Sequence, residues 1–235
     1  SIGGNHLIHL LRRNFNVQIL LFNNEIYGLI KGQYSPTSEE NKKTKSSPFG
    51  SLDHPVNPLA LALGADATFE ARTLDWDPVH LRDSLLRARE HVGTSFVEVY
   101  QNCNIFNDGA FELYTDKATK SDYTVELKQG EPLVFGKNGD KGVRLDGLKP
   151  QIVDLNESGY SISDLWVHDE KDATKAYLLS RFFDHTLPRP IGVLYQEDRP
   201  CYEELMLHQI QGAVSQMGMG NLDELLKAGM TWKVG

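Results

Sequence analysis

Residues 17–38, VQILLFNNEIYGLIKGQYSPTS, join a short apolar run to a turn of amides, glycines and small polar side chains. The apolar run at 17–22 predicts a fully buried strand. Two amides, Asn23 and Asn24, follow it directly. Because ligands of open parallel sheets bind beyond the carboxyl ends of the strands, this abrupt change of polarity indicates a cofactor site at the sheet edge. The alternative is a turn that only ends the strand, since asparagine favours turns and tolerates left-handed backbone.

Helical and extended patterns alternate on both sides of this stretch. Amphipathic spacing, strand-like composition and two cap-plus-proline pairs locate the elements. Helices are predicted at residues 6–13, 59–63 and 78–91, and strands at 17–22, 67–72 and 95–100. This order predicts an α/β fold, a parallel sheet flanked by helices.

The pattern changes at about residue 122. Short strand candidates, a hairpin turn at 137–140 and helical segments at 170–184 and 202–217 follow. We therefore predict two parts, an α/β core at residues 1–121 and a C-terminal α+β extension at residues 122–235. Residues 35–56, rich in Ser, Pro and Lys, predict a long loop, and loops of that length are usually functional or mobile.

Composition narrows the function classes. The chain has 235 residues, 40% of them hydrophobic, and a net charge of −8, so no electrostatic case exists for binding nucleic acid or an anionic membrane. No apolar run is long enough to span a bilayer. Two cysteines without a CxxC motif fit a reducing compartment, so we predict a cytoplasmic protein. The chain starts without Met, already in a helical pattern, which we interpret as the interior of a longer chain.

The turn offers ligands for a metal ion. The side-chain oxygen of Asn24 and the backbone carbonyl of Ile26 are hard oxygen donors suited to Mg²⁺, which is commonly shared with a phosphate. Two neutral ligands cannot hold Mg²⁺ alone, so a carboxylate and a diphosphate would be needed from elsewhere. Lys31 could neutralise an anionic substrate, or it could be an exposed loop lysine. Of the histidines, only His54 lies in a loop that is expected to adjoin this turn.

Three segments resemble one family: FNNEIYGLIKGQYSPTS at 22–38, SSPFGSLDHPVNPLALALGADATFEAR at 46–72 and VEVYQNCNIFND at 97–108. They are similar to the β subunit of 2-oxoacid:ferredoxin oxidoreductases, most closely the 2-oxoglutarate type. The resemblance implies the thiamine-diphosphate-binding fold, diphosphate domain, in a heteromer with an α subunit. It also implies CoA-dependent oxidative decarboxylation of a 2-oxoacid to acyl-CoA and CO₂, with electrons leaving through a 4Fe-4S cluster to ferredoxin.

The resemblance also implies roles for residues of the turn. Asn24 matches the asparagine that ligates Mg²⁺, and Ile26 matches the residue that lends its carbonyl. With Tyr27 and Gly28 they form the second half of the thiamine-diphosphate signature. The Gly-Asp-Gly half, whose Asp completes the Mg²⁺ site, is not in this sequence. This chain alone is therefore not expected to complete the cofactor site.

Substrate and cluster positions follow in the same way. Leu29 and Lys31 match positions that face the 2-oxoacid, and Lys31 would pair with a substrate carboxylate. Cys103 matches the last of four cysteines that bind the cluster, and the other three are not in this sequence; without the resemblance, Cys103 would be interpreted as a buried strand-end thiol. Ile30 stands where the family usually has Thr. Two alternatives remain open: a pyruvate or broad 2-oxoacid enzyme, and a non-catalytic, truncated assembly subunit.

Overall fold

The computed structural model describes residues 3–157, 159–183, 186–230 and 232. Helices and strands alternate in its first half, as the sequence pattern predicts. The strands are β1 (Gln18–Asn23), β2 (Ile26–Tyr27), β3 (Gln33–Tyr34), β4 (Phe69–Leu74), β5 (Ser95–Tyr100), β6 (Thr124–Glu126), β7 (Val134–Phe135), β8 (Lys141–Asp146), β9 (Lys149–Asp154) and β10 (Arg189–Gln196). The α-helices are α1 (Gly4–Arg13), α2 (Pro58–Gly64), α3 (Pro78–Glu90), α4 (Glu112–Thr115), α5 (Lys120–Tyr123), α6 (Ala173–Ser180), α7 (Tyr202–Met217) and α8 (Leu222–Lys227), and a 3-10 turn spans Ile162–Asp164.

The main sheet has the strand order β1-β5-β4-β10-β6. β1, β5 and β4 run parallel, and their last residues Asn23, Tyr100 and Leu74 lie side by side. The carboxyl ends of these three strands therefore meet at one edge. The predicted α/β class, with parallel strands flanked by helices, is confirmed.

The second half of the chain supplies the remaining strands of this sheet. β10 pairs with β4 in the antiparallel direction, and β6 pairs with β10 in parallel. The sheet is therefore mixed, and residues beyond 121 complete it. A separate three-stranded antiparallel sheet, β7-β8-β9, includes the predicted hairpin turn. The boundary at residue 121 stays a prediction.

Side-chain caps start two of the helices at the predicted residues. Asn57 Oδ1 accepts from the Ala60 N–H at 3.1 Å, and Pro58 occupies the first turn of α2. Asp77 Oδ1 accepts from the His80 N–H at 3.1 Å at the start of α3. Each cap satisfies a backbone donor that a helix leaves free at its start.

The prediction of a fully buried β1 is wrong. Ile19 and Leu21 pack against the main core, but Leu20 and Phe22 on the opposite face are 40% and 56% exposed. β1 is an edge strand of the sheet, with β5 as its one neighbour among the described strands. An apolar run gives a strand two apolar faces, but neighbouring elements decide whether both are covered. Among the described helices, none has the length and hydropathy to cross a membrane.

Candidate functional site

The stretch that follows β1 is a hairpin. β2 and β3 pair in the antiparallel direction, with Ile26 opposite Tyr34 and Tyr27 opposite Gln33. The loop between them is closed by the Lys31 N–H on the Gly28 carbonyl and the Gly32 N–H on the Tyr27 carbonyl, both at 3.0 Å. The predicted turn therefore consists of a strand end followed by a small, hydrogen-bonded hairpin.

Asn24 and Ile26 lie together where β1 passes into this hairpin. Asn24 Oδ1 accepts from the Ile26 N–H at 3.2 Å, which holds the side-chain oxygen close to its own backbone. The Ile26 side chain is buried, and Asn24 is partly exposed. The two predicted Mg²⁺ ligands are thus neighbours in one ordered turn.

Glu25, between these two residues, has a left-handed backbone with φ of 53°. Its carbonyl accepts a hydrogen bond from the Ser38 hydroxyl. Burial raises the pKa of its carboxyl to about 7, and the positive charge of Arg189 acts in the opposite direction. The turn therefore carries a carboxyl group that is easily protonated near neutral pH.

The loop after β5 packs against the hairpin. Asn107 donates its side-chain N–H to the Asn24 carbonyl at 2.9 Å, and its backbone N–H to the Cys103 carbonyl at 3.0 Å. The Phe106 ring lies on the loop glycines, so closely that a Cβ at Gly32 would be 2.9 Å from Phe106 Cδ1. The structure thus brings the loop of Cys103 against the turn of Asn24. No role was predicted for Phe106 and Asn107 from the sequence, although both lie in a segment that carries the family resemblance.

The predicted substrate-facing residues lie at the tip of the hairpin. Leu29 is 99% exposed, and Lys31 is exposed with a left-handed φ of 63°. Gly28 lies under the Phe106 ring, and Tyr27 is exposed. Nothing in the described structure covers Leu29.

A cavity of about 720 Å³ opens beside the hairpin. Tyr27 and Tyr34 line it from the hairpin, and Asp53 and His54 line it from the long loop. His54 is exposed and its Nδ1 lies 2.5 Å from Glu40 Oε1. The expectation that the His54 loop adjoins the turn is therefore met, with His54 paired to a carboxylate.

The chemistry of these donors fits part of each implied cofactor site. Asn24 and Ile26 offer neutral oxygens, the ligand type that Mg²⁺ takes in proteins. Cys103 is a free, partly exposed thiol, whereas Cys201 is buried just before α7. Within the described ranges, no group of three or more His, Cys, Asp or Glu side chains is placed to bind a metal ion. These residues therefore fit a share of a metal–diphosphate site and one ligand of a cluster.

Comparison with known proteins shows which family and which relatives this chain resembles. Residues 1–99 match the family described as thiamine pyrophosphate enzyme, C-terminal TPP binding domain, which confirms the predicted fold family. The chain is 45% identical to 2-oxoglutarate oxidoreductase subunit KorB of Mycobacterium tuberculosis, over 100% of this chain and 63% of that protein. It is 42% identical to the β subunit of 2-oxoacid:ferredoxin oxidoreductase 1 of Aeropyrum pernix, over 63% of this chain and 46% of that protein.

A solved structure has the same fold. The 2-oxoglutarate:ferredoxin oxidoreductase from Magnetococcus marinus, with 2-oxoglutarate, coenzyme A and succinyl-CoA bound, superposes with a TM-score of 0.69 at 24% identity. The match covers 98% of this chain and 64% of that one. The chain thus spans less than two thirds of the length of these relatives. With a whole-chain identity of 45% to KorB, the chain is similar to the β subunits of the 2-oxoacid:ferredoxin oxidoreductases.

Proposed function

We propose that this chain acts as the β subunit of a 2-oxoglutarate:ferredoxin oxidoreductase. The reaction is the oxidative decarboxylation of 2-oxoglutarate with CoA to succinyl-CoA and CO₂, with ferredoxin as the electron acceptor. The observation that carries the proposal is the Asn24 turn, which is tied by Asn107 to the loop of Cys103. The names of the relatives support the substrate, since KorB of Mycobacterium tuberculosis is a 2-oxoglutarate oxidoreductase subunit.

In this proposal the turn holds the cofactor and the chain orients the substrate. Asn24 Oδ1 and the Ile26 carbonyl bind the Mg²⁺ that carries the diphosphate, next to Tyr27 and Gly28. When bound, thiamine diphosphate supplies the electron sink that decarboxylation needs. Lys31, with Leu29 beside it, pairs with the distal carboxylate of the substrate. Cys103 supplies one thiolate of a 4Fe-4S cluster.

Partners complete both sites. We propose an α subunit of the same enzyme as the constant partner, ferredoxin as a transient one, and the cytoplasm as the location. The missing Mg²⁺ and cluster ligands come from residues outside those described. The heteromer is therefore the unit in which activity is measured.

The test is reconstitution of the β chain that carries this sequence with its α subunit. Anaerobic reduction of a viologen dye is measured with 2-oxoglutarate and CoA, with and without thiamine diphosphate. We expect reduction that depends on thiamine diphosphate and is faster than with pyruvate. Faster reduction with pyruvate would favour a pyruvate or broad 2-oxoacid enzyme. No reduction with any 2-oxoacid would favour the non-catalytic assembly subunit.

The proposed role of Lys31 has its own test. Loss of a charge-assisted hydrogen bond of 1.5–3 kcal/mol predicts that Lys31→Ala lowers kcat/KM for 2-oxoglutarate by about tenfold to a hundredfold. The value for pyruvate, which has no second carboxylate, should change much less. Lys45→Ala removes the same charge from the long loop and serves as the control. Equal losses for both substrates would remove the role from Lys31.

A further inference from the structure

Three polar side chains cross the core beneath the Asn24 turn. Asn23 ends β1, Glu98 lies in β5 and Arg72 lies in β4, so they come from three adjacent strands. Arg72 and Glu98 are directly opposite in the parallel register. Both are 0% exposed, and Asn23 is 5% exposed. A buried polar row of this kind reaches from the middle of the sheet to the edge that carries the turn.

Glu98 joins the other two residues. Its Oε2 accepts from Arg72 Nε at 2.8 Å, and its Oε1 accepts from Asn23 Nδ2 at 2.8 Å. A carboxylate paired with a guanidinium can only accept hydrogen bonds. Glu98 therefore decides which way the Asn23 amide points, with its NH₂ toward the core and its oxygen toward the turn.

The oriented oxygen of Asn23 holds the turn. Asn23 Oδ1 accepts from the Thr37 hydroxyl at 2.7 Å and from the Glu25 N–H at 3.2 Å. Glu25 has a left-handed backbone, which a non-glycine residue adopts only when its surroundings hold it there. The hydrogen bond from Glu25 is thus one of the contacts that fix the backbone between Asn24 and Ile26.

We propose that Glu98 is a positioning residue, which through Asn23 sets the turn that presents Asn24 and Ile26 to Mg²⁺ and the diphosphate. This inference rests on the proposed function. Folding stability alone does not explain why Asn23, Glu98 and Arg72 are polar, because a buried ion pair seldom stabilises a protein more than apolar side chains of the same volume. What the row does supply is a fixed direction for one amide.

Glu98→Gln tests the direction of the amide. Arg72 Nε can only donate, so the new side chain turns its oxygen to Arg72 and its NH₂ to Asn23. The Asn23 amide then has to rotate, and its NH₂ faces the Glu25 N–H, which loses its acceptor. We expect the Kd for Mg²⁺, titrated by calorimetry into the assembled enzyme with thiamine diphosphate present, to rise about tenfold or more.

Exchanging the two groups should restore binding. In the double variant Asn23→Asp/Glu98→Gln, the new NH₂ donates to the new carboxylate, which still accepts from Thr37 and Glu25. We expect its Kd for Mg²⁺ to return to within about threefold of the wild type, well inside the tenfold loss typical of disturbed second-shell partners. Asn23→Asp alone places two carboxylates against each other and should weaken binding.

A second ion pair, in which the carboxylate is buried and the guanidinium is partly exposed, serves as the control. Glu170 accepts from Arg87 Nη1 at 2.8 Å and Nη2 at 2.6 Å, and it is 1% exposed. Glu170→Gln should lower Tm without changing the Kd for Mg²⁺. An unchanged Kd in Glu98→Gln, an equal rise in Glu170→Gln, or no recovery in the double variant would overturn the positioning role.

Two further outcomes are decisive. If Glu98→Gln does not assemble, Asn23→Asp carries the test, and an unchanged Kd in that variant overturns the inference. If the wild-type heteromer binds no thiamine diphosphate with Mg²⁺, the proposed function fails and the inference fails with it. If the wild type binds Mg²⁺ with thiamine diphosphate and the variants have the same Kd for Mg²⁺, the positioning role of Glu98 is refuted and the proposed function is not.

Discussion

At the scale of single residues, Glu70 is the least satisfied group in the core. It lies in β4 and is 0% exposed, and neither carboxylate oxygen has a hydrogen-bond partner among the described residues. Burial raises its pKa well above the ordinary value of 4.5, Arg72 lowers it and Glu98 raises it further. The folded state therefore favours a neutral Glu70, because its charge would be buried without a partner.

This pKa shift predicts that the difference in Tm between Glu70→Gln and the wild type changes with pH. The unfolded chain releases the Glu70 proton near pH 4.5, and the folded chain releases it only at higher pH. The free energy of unfolding is therefore not reduced by Glu70 below pH 4.5, and it falls as the pH rises above that value. Glutamine has no proton to release. The variant should match the wild type at pH 4.5 and have a higher Tm at pH 8, by about 3 °C if the gain is near 1 kcal/mol.

Thermal unfolding of both proteins between pH 4.5 and 8 measures this difference. Glu131→Gln, at an exposed position, is the control and should follow the wild type over the whole range. The other titrating groups are common to all three proteins and cancel in the comparison. A constant difference between Glu70→Gln and the wild type would contradict the assignment of the shift to Glu70.

At the scale of elements, the hairpin depends on the loop after β5. β2 and β3 have two residues each, and a hairpin that small is marginal by itself in water. Phe106 packs on Gly32, and Asn107 binds the Asn24 carbonyl. The two loops therefore stabilise each other, although 83 residues separate Asn24 from Asn107.

Asn107→Ala should loosen both loops. Loss of one hydrogen bond of about 1 kcal/mol predicts roughly fivefold faster exchange of the backbone amides at positions 32 and 107. Hydrogen exchange followed by mass spectrometry measures this change. Asn102→Ala is the control, since Asn102 binds Asp108 and Gly109 within its own loop. Equal exchange in wild type and Asn107→Ala would show that Phe106 alone holds the loops.

At the scale of the whole molecule, α7 and α8 stand apart from the core. No described residue of either helix is buried, and together they expose large apolar side chains. Those more than half exposed include Leu205, Leu207, Met217, Leu222, Leu225 and Leu226. α7 is anchored at its start, where the Tyr202 and Phe15 rings lie 5.1 Å apart and Glu203 Oε1 accepts from the Asn16 N–H.

Deleting residues 206–235 should therefore leave the core intact. Because no described residue beyond 205 is buried, we expect Tm to change by less than about 2 °C, as for surface changes. Binding of a hydrophobic dye should fall, since an exposed apolar surface is removed. Phe182→Ala, which truncates a core side chain 1% exposed, should by contrast cost about 3–5 kcal/mol. A large fall in Tm on deletion would show that the helices pack on the core.

Local patterns determined the types of the elements and many of their starts. Asn57 and Asp77 cap α2 and α3 as predicted, and β5 spans the predicted residues 95–100. These caps and strand bounds depend on residues only a few positions apart, so the local sequence of each segment is enough to predict them. The strand β9 (Lys149–Asp154) was not predicted. Its sequence has a proline between two polar residues, and its apolar residues do not alternate with polar ones. The sequence also indicated the Asn24 turn as the candidate site, through its polarity and its family resemblance.

Tertiary structure alone decided which distant residues meet. The antiparallel insertion of β10 beside β4, the open face of β1 and the contact of Asn107 with Asn24 all follow from strand order and loop packing. So does the link from Glu98 to the amide of Asn23. Such contacts join residues tens of positions apart, and no local pattern encodes them. The sequence by itself determined the elements and the residue types of the site; the sheet decided how those residues are held.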